Sequence, residues 1–108
     1  MEIKQKTINA SGIIISIEES GKEVAHAYLY ILANLHDRPF GLMEDVYVAE
    51  SYRSKGLGTM LIKELIKIAK QNDCYKLIGT SRHEREKVHG LYERLGFKDW
   101  GKEFRMDF

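Results

Sequence analysis

Two stretches and one isolated acid in this 108-residue chain have residue types and spacings that could do chemistry. The first stretch is YRSKGLGTMLI, Tyr52 to Ile62. Arg53 and Lys55 bring positive charge, Gly56 and Gly58 bring backbone freedom, and the apolar residues that follow open a helix. A helix start offers unpaired backbone N–H groups and a positive dipole end. Glycines there let a polyanion approach the main chain closely. Together these describe a cradle for a phosphate or pyrophosphate. A tight turn with solvated cations fits the same residues, and composition leaves both readings open. The P-loop pattern G-x-x-x-x-G-K-[ST] is absent, and a dinucleotide-binding G-x-G-x-x-G would need glycine where Leu61 stands.

The acid is Glu44, in LMEDVYV. Strict strand alternation sets it on one face with Leu42, Val46 and Val48, leaving Met43, Asp45 and Tyr47 on the other. A carboxylate among apolar neighbours is costly to ionise, so its pKa rises toward the range a general base needs. A salt-bridged or edge-exposed glutamate is the competing reading. The second stretch is LYERLGF, Leu91 to Phe97. Its Tyr92 lies on a helical face with Val88, Leu91 and Leu95, and periodicity alone makes it one more core ring. HEREK breaks the H-E-x-x-H zinc pattern because Lys87 takes the second ligand position, so no metal site is expected. Cys74, at a helix–strand junction, reads as a small apolar residue.

The elements that position these residues follow from periodicity. Ile13–Ile17 is a β-branched strand between turns, with residues 1–8 as an earlier strand paired to it. Val24–Asn34 is a longer strand, Tyr28, Tyr30 and Leu32 on one face and Ala27, Leu29 and Ile31 on the other. Pro39 marks a turn, and Leu42–Val48 is the next strand. Over Leu57–Gln71 the period turns helical, with Leu57, Leu61, Leu65 and Ile68 as a stripe flanked by Ile62, Ile66 and Ala69. Tyr75–Thr80 is a strand. Ser81 and Glu84 have capping-box spacing for a second helix starting near Arg82, and Gly96 is placed to end it in the left-handed conformation. Phe97–Phe108 reads as strand material broken at Gly101. Hairpin-length links make the early strands antiparallel, and the strand–helix–strand unit makes a right-handed parallel crossover. The expected fold is α/β: a mixed, mostly antiparallel sheet with flanking helices, in a single domain over residues 1–108.

Bulk properties narrow the partners. A net charge of +1 supplies no global field for nucleic acid or membranes. The one cysteine forbids an intrachain disulfide, which fits a cytoplasmic setting. MEIKQKTINA lacks the apolar core of a signal peptide, and no run approaches the length of a membrane span.

Arg53-Ser54-Lys55-Gly56-Leu57-Gly58 between a strand and a helix, followed by LYERLGF, resembles the GNAT superfamily of acyl-CoA-dependent N-acyltransferases. The family's main motif reads [RQ]-x-x-G-x-[GA], and its second signature is an aromatic-rich helix ending in YE-x-x-GF. The match runs from about Leu42 to Phe97. MEDVYV also resembles the matching strand of the polyamine and glucosamine-6-phosphate acetyltransferases, which carry a Glu-Asp pair there. The resemblance implies that N–H groups from Arg53, Ser54, Lys55, Gly56, Leu57, Gly58 and Thr59 hold the pyrophosphate of acetyl-CoA. It implies that main chain at Val46, Tyr47 and Val48 pairs with the pantetheine arm, one N–H polarising the thioester carbonyl. Tyr92 would protonate the departing thiolate and Glu44 would take the amine's proton, while Asp45 has at most a structural or acceptor-side role.

Two departures matter. Many members have Asn seven residues before the tyrosine, where Arg85 stands here; SRHEREKVH instead fits a subset reading S-x-x-x-R-x-x-[AV]-H. The usual helix pair between the first two strands is replaced by a short turn, so the acceptor side should be open or completed by a second subunit, as in a homodimer. The expected function is N-acetyl transfer from acetyl-CoA to a primary amine in a ternary complex, the acceptor being a small molecule or a peptide. The alternative is a coenzyme A or phosphate-ligand module without catalysis.

Overall fold

Four strands lie in chain order in one sheet: β1 (Ser11–Glu19), β2 (Lys22–Leu32), β3 (Phe40–Val48) and β4 (Leu77–Ile78). The first three pair antiparallel and β3 pairs parallel with β4. Residues 1–108 are described by a computed structural model, in which residues 1–78 and 79–108 are separate units. In the first unit, β1 and β2 meet at a two-residue turn, Ser20–Gly21, where both residues have positive φ (53° and 75°). Two such residues in succession give the turn whose twist matches that of paired strands.

Helix α1 (Leu57–Gln71) covers one face of the sheet, packing on β2 and β3. The core is Val24, Ala25, Ala27 and Leu29 from β2, Met43 from β3, and Leu61, Ile62, Leu65 and Ala69 from α1. Leu29, Ile62 and Leu65 lose essentially all contact with solvent. Full burial of such a side chain is worth roughly 1.5–3 kcal/mol. The expected stripe is therefore rotated: Leu57 and Ile68 are only half-buried, and Ile62 with Ala69 moves to its centre. The helix ends where QND predicts. Asn72 donates its side-chain N–H to the Ile68 carbonyl at 2.8 Å, and Asp73 turns the chain at φ 61°.

Three expectations are corrected. Residues 1–10 form no strand, and Met1, Ile3 and Ile8 are exposed; the polar run between Ile3 and Ile8 leaves no apolar face to pair on β1. The strand expected at Tyr75–Thr80 is ordered as β only at Leu77–Ile78, where its partners are Gly41 and Leu42. Phe97–Phe108 forms no strand, and Trp100, Phe104, Met106 and Phe108 are exposed.

The second unit is built on α2 (Glu86–Arg94). Its start is also a correction. The N-cap is Arg85, and no side chain caps the first turn, so Ser81 and Glu84 form no capping box. A turn intervenes instead: Arg85 N–H donates to the Arg82 carbonyl at 3.1 Å, and His89 Nε2 donates to that same carbonyl at 2.8 Å. Gly96, at φ 98°, ends the helix as expected.

Candidate active site

The bulge in β3 decides which side chains meet. Tyr28 pairs with Glu44, but His26 pairs with Tyr47, so β3 has one residue too many between these pairs. Asp45 absorbs the difference with φ 47°, a left-handed backbone uncommon outside glycine. An extra residue reverses the parity of everything after it. Strict alternation is therefore wrong beyond Glu44. Tyr47 does not share the buried face of Met43; it lies 43% exposed against His26. Val48 pairs with Ala25, which belongs to the helix-covered face, and so does not share a face with Leu42 and Glu44. Asp45 is not turned away from Glu44's face, since its carboxylate reaches the His26 ring on that side.

The uncovered face of the sheet thus gathers His26, Tyr28 and Tyr30 from β2 with Glu44 and Tyr47 from β3. Tyr28 and Tyr30 lie parallel with ring centres 6.4 Å apart, and His26 stacks on Tyr47 at 5.3 Å. Glu44 is exposed, which corrects the expectation of a carboxylate buried among apolar neighbours. Its carboxylate is open to solvent.

His26 is held by two acids: Glu23 at Nδ1 (3.0 Å) and Asp45 at Nε2 (2.9 Å). The hydrogen bond to Glu23, then that to Asp45, raises its pKa above the ordinary 6.5, against a smaller opposing effect of burial. Sequence reading missed His26, Tyr28 and Tyr30 as members of a site. No spacing rule joins residue 26 to residue 45; only β2–β3 pairing across a bulge does.

Beyond Leu42 the edge of β3 on the β4 side has no strand partner, because the parallel pairing stops at Leu42 and Ile78. Val46, half-buried, exposed Tyr47 and half-buried Val48 lie along this edge. Just after it, a single turn of 3-10 helix (Glu50–Tyr52) leads into the glycine stretch. Arg53 folds back, its Nε donating to the Val48 carbonyl at 2.9 Å and its guanidinium lying 6.0 Å from the Tyr47 ring centre. Arg53 therefore braces the end of β3 as well as adding charge. Tyr52 lies near the β1–β2 hairpin, and the Glu19 carboxylate there raises the phenol's pKa. Lys55 Nζ sits 5.1 Å over the same Tyr52 ring.

Between these braces the main chain is unsatisfied. Helix α1 begins its hydrogen bonding with Met60 N–H to the Gly56 carbonyl (3.1 Å), and the backbone N–H groups of Ser54 to Thr59 have no backbone acceptor. Gly56 is the N-cap, at φ 81°, and no side chain caps the helix. A Cβ on Gly56 would meet nothing within 4 Å, so the glycine is required by its backbone angle and faces open space. Ser54, Lys55 and Gly56 are exposed, while Leu57, Gly58 and Thr59 are half-buried as the helix enters the core. This run fits the pyrophosphate of an acyl-CoA: free donors, a dipole end, open space and nearby cations.

Tyr92 lies on α2, half-buried, in the second unit. The GF that follows it is a helix stop with a clear mechanism. Gly96 N–H donates to the Glu93 carbonyl and Phe97 N–H to the Tyr92 carbonyl, each at 3.0 Å. This is the paired bonding of a Schellman cap, and its usual apolar contact is the Tyr92–Phe97 ring pair, 5.3 Å between centres. The YERLGF spacing thus orients Tyr92. Arg85, at the N-cap of α2, is exposed. In the same unit the Ser81 hydroxyl is buried without a partner.

Glucosamine 6-phosphate N-acetyltransferase of Candida albicans is 39% identical over 102 residues, which are 93% of this chain and 60% of that protein. The enzyme of the same name from Trypanosoma brucei brucei is 36% identical over 102 residues, 90% of this chain and 67% of that protein. The chain therefore spans only 60% and 67% of the length of these two relatives. The crystal structure of glucosamine-6-phosphate N-acetyltransferase from Arabidopsis thaliana superposes with a TM-score of 0.81 at 28% identity, covering 90% of this chain and 67% of that one. The model of the Acetyltransferase (GNAT) family matches residues 2–97, and the chain belongs to that family.

Proposed function

We propose that the protein transfers an acetyl group from acetyl-CoA to a primary amine by direct attack in a ternary complex. The observation that carries this reading is the run of unpaired N–H groups from Ser54 to Thr59, next to the unpartnered edge of β3. The first suits a pyrophosphate and the second suits an amide-bearing arm that adds to a strand edge. Family membership and the naming of two relatives as N-acetyltransferases support transfer over mere binding.

Chemically, the amine loses its proton toward Glu44, directly or through water, and attacks the thioester carbonyl. Negative charge on the carbonyl oxygen is met by main-chain N–H near Val46 or Tyr47. The C–N bond forms, the C–S bond breaks, and Tyr92 supplies the proton for the departing thiolate, while the second proton on the new amide nitrogen leaves to solvent and a proton from solvent restores the phenol; a neutral phenol is the ordinary state of tyrosine at pH 7. Aromatic rings and carboxylates on the uncovered sheet face suit a cationic acceptor. Glucosamine 6-phosphate, for which both relatives are named, is the first acceptor to test. A second copy of the chain completing the acceptor side belongs to the same proposal, and sedimentation that finds only monomer at high concentration removes it.

The test measures thiol release from acetyl-CoA with a panel of amines, amino sugars, polyamines and peptides, products being identified by mass. Release that requires one acceptor class supports transfer. Calorimetric binding without thiol release points to a binding module, and absence of binding defeats both. Tyr92→Phe should then lower turnover about 10²-fold with acetyl-CoA affinity nearly unchanged; unchanged turnover removes Tyr92 from the chemistry.

A further inference from the structure

The His26 ring has an acid at each nitrogen: Glu23 Oε2 at 3.0 Å and Asp45 Oδ2 at 2.9 Å. A neutral imidazole has one N–H, so one of these contacts would set a lone pair against a carboxylate oxygen. Only the imidazolium satisfies both. Its side chain is 18% exposed, against 48% for Glu23 and 64% for Asp45, so the ring is shielded while its partners stay hydrated. The groups around it are few. From β1, Ser16 pairs with His26 and carries no charge, and Glu18 pairs with Glu23. From β2 come Glu23 and, edge-on at 5.8 Å, Tyr28; from β3 come Asp45 and the stacked Tyr47, which Arg53 approaches in turn. Acids outnumber bases here.

Asp45 is also the residue that takes the left-handed turn of the bulge. Such a backbone state persists where surrounding contacts over-determine it. The His26–Asp45 bond is a contact from β2 onto that residue, and Tyr47 on the next step is stacked on the same ring.

We propose that His26, as the imidazolium, is a positioning residue that clamps the β3 bulge to β2 and so sets the main chain of Val46 to Val48 for acyl-CoA. This rests on the acyl-CoA reading above for its consequence, but the clamp is a property of the free protein. The His26 pKa is raised from its ordinary value, first by Glu23 and then by Asp45. The clamp is closed at lower pH and opens as pH rises through that transition, when one ring nitrogen loses its donor.

Two measurements separate the clamp from its consequence. The first follows the His26 ring by NMR and the protection factor of the Ala49 amide, which donates to Val24 at 2.8 Å just past the bulge. From about pH 6 to about pH 9 the wild-type protection should fall about three- to tenfold in step with His26 deprotonation. In His26→Gln it should start lower and stay flat, with Asp45→Asn intermediate. The second is acetyl-CoA affinity by calorimetry over the same range, taken as the wild-type to variant ratio so that ligand ionisation cancels. That ratio should be about three- to tenfold at the acid end and approach one at the alkaline end. The variants should raise KM for acetyl-CoA with little change in kcat.

Coincident protection profiles in wild type and both variants overturn the clamp. A changed protection profile with an unchanged affinity ratio overturns its link to the acyl-CoA edge. A wild type that binds no acetyl-CoA refutes the proposed function instead, and the protection measurement still decides the clamp. Asp45→Asn is nearly isosteric and keeps the test available if His26→Gln does not fold.

Discussion

The two faces of the sheet are built from the same two strands, β2 and β3, on opposite terms. Beneath α1, the side chains are Ala25, Ala27, Leu29 and Met43, all with 2% or less of their surface exposed. On the uncovered face they are His26, Tyr28, Tyr30, Glu44 and Tyr47, aromatic or ionisable and at most half-buried. Small residues on β2 let the helix approach closely, and large apolar residues from α1 fill the space, so that face stores stability. The other face keeps polar groups hydrated and within reach of a ligand. The parity change at Asp45 carries Tyr47 to the polar face, where regular alternation would have sent it under the helix. One face is redundant in its packing; the other depends on particular contacts.

That contrast can be broken by experiment, beginning where the effect is largest. Leu65→Ala should cost about 2–5 kcal/mol in chemical denaturation, since Leu65 is fully buried under the sheet. A loss under about 1 kcal/mol would mean the helix face is not where stability resides. At the start of α1, Gly56→Ala should cost about 1 kcal/mol because the helix cap needs φ 81°. Gly56→Asn should cost less, because asparagine tolerates that angle and nothing crowds the site. Equal costs would point to a steric cause.

Smaller effects belong to the uncovered face. His26 has its pKa raised by Glu23 and Asp45, so the folded state binds the proton more tightly than the unfolded chain. Its contribution to stability is complete below about pH 6.5 and is lost as pH rises through the raised value. Because both acids are largely hydrated, the stability difference between wild type and His26→Gln should change by less than about 1 kcal/mol across that window and shrink in high salt. A difference that grows toward alkaline pH would contradict the sign. Glu44→Gln should leave stability within about 0.5 kcal/mol while lowering the acetylation rate, most at low pH where the amine is protonated. A denaturation midpoint that moves markedly would make Glu44 structural instead.

Much of this was legible in the chain. The helix over Leu57–Gln71 has a 3.6-residue apolar period bounded by glycine and QND, and such local signals determine an element almost regardless of context. Gly96 announced its own φ, because few other residues tolerate that turn. The edges of the fold were less legible. Residues 1–8 and 97–108 carry strand-forming types, yet pairing needs a partner edge that no local pattern specifies. Ser81 and Glu84 had the spacing of a cap and none of the geometry, because a turn at Arg82–Arg85 delays the helix.

For the candidate site, local sequence determined the glycines ahead of α1, the GF stop after Tyr92 and the presence of an acid on β3, while their reading as a coenzyme cradle and a catalytic tyrosine came from the resemblance to the GNAT superfamily. Those features depend on backbone angles and helix ends, which are properties of a few neighbouring residues. Tertiary structure decided the rest. It exposed Glu44, drew Arg53 back onto Val48, and brought His26 between two acids, one of them nineteen residues away. A bulge costs one unpaired residue and leaves no mark in hydrophobic periodicity, but it reverses which side of the sheet every later side chain faces. That reversal arises only when β3 is laid against β2, and with it the surroundings of every charged group on the uncovered face.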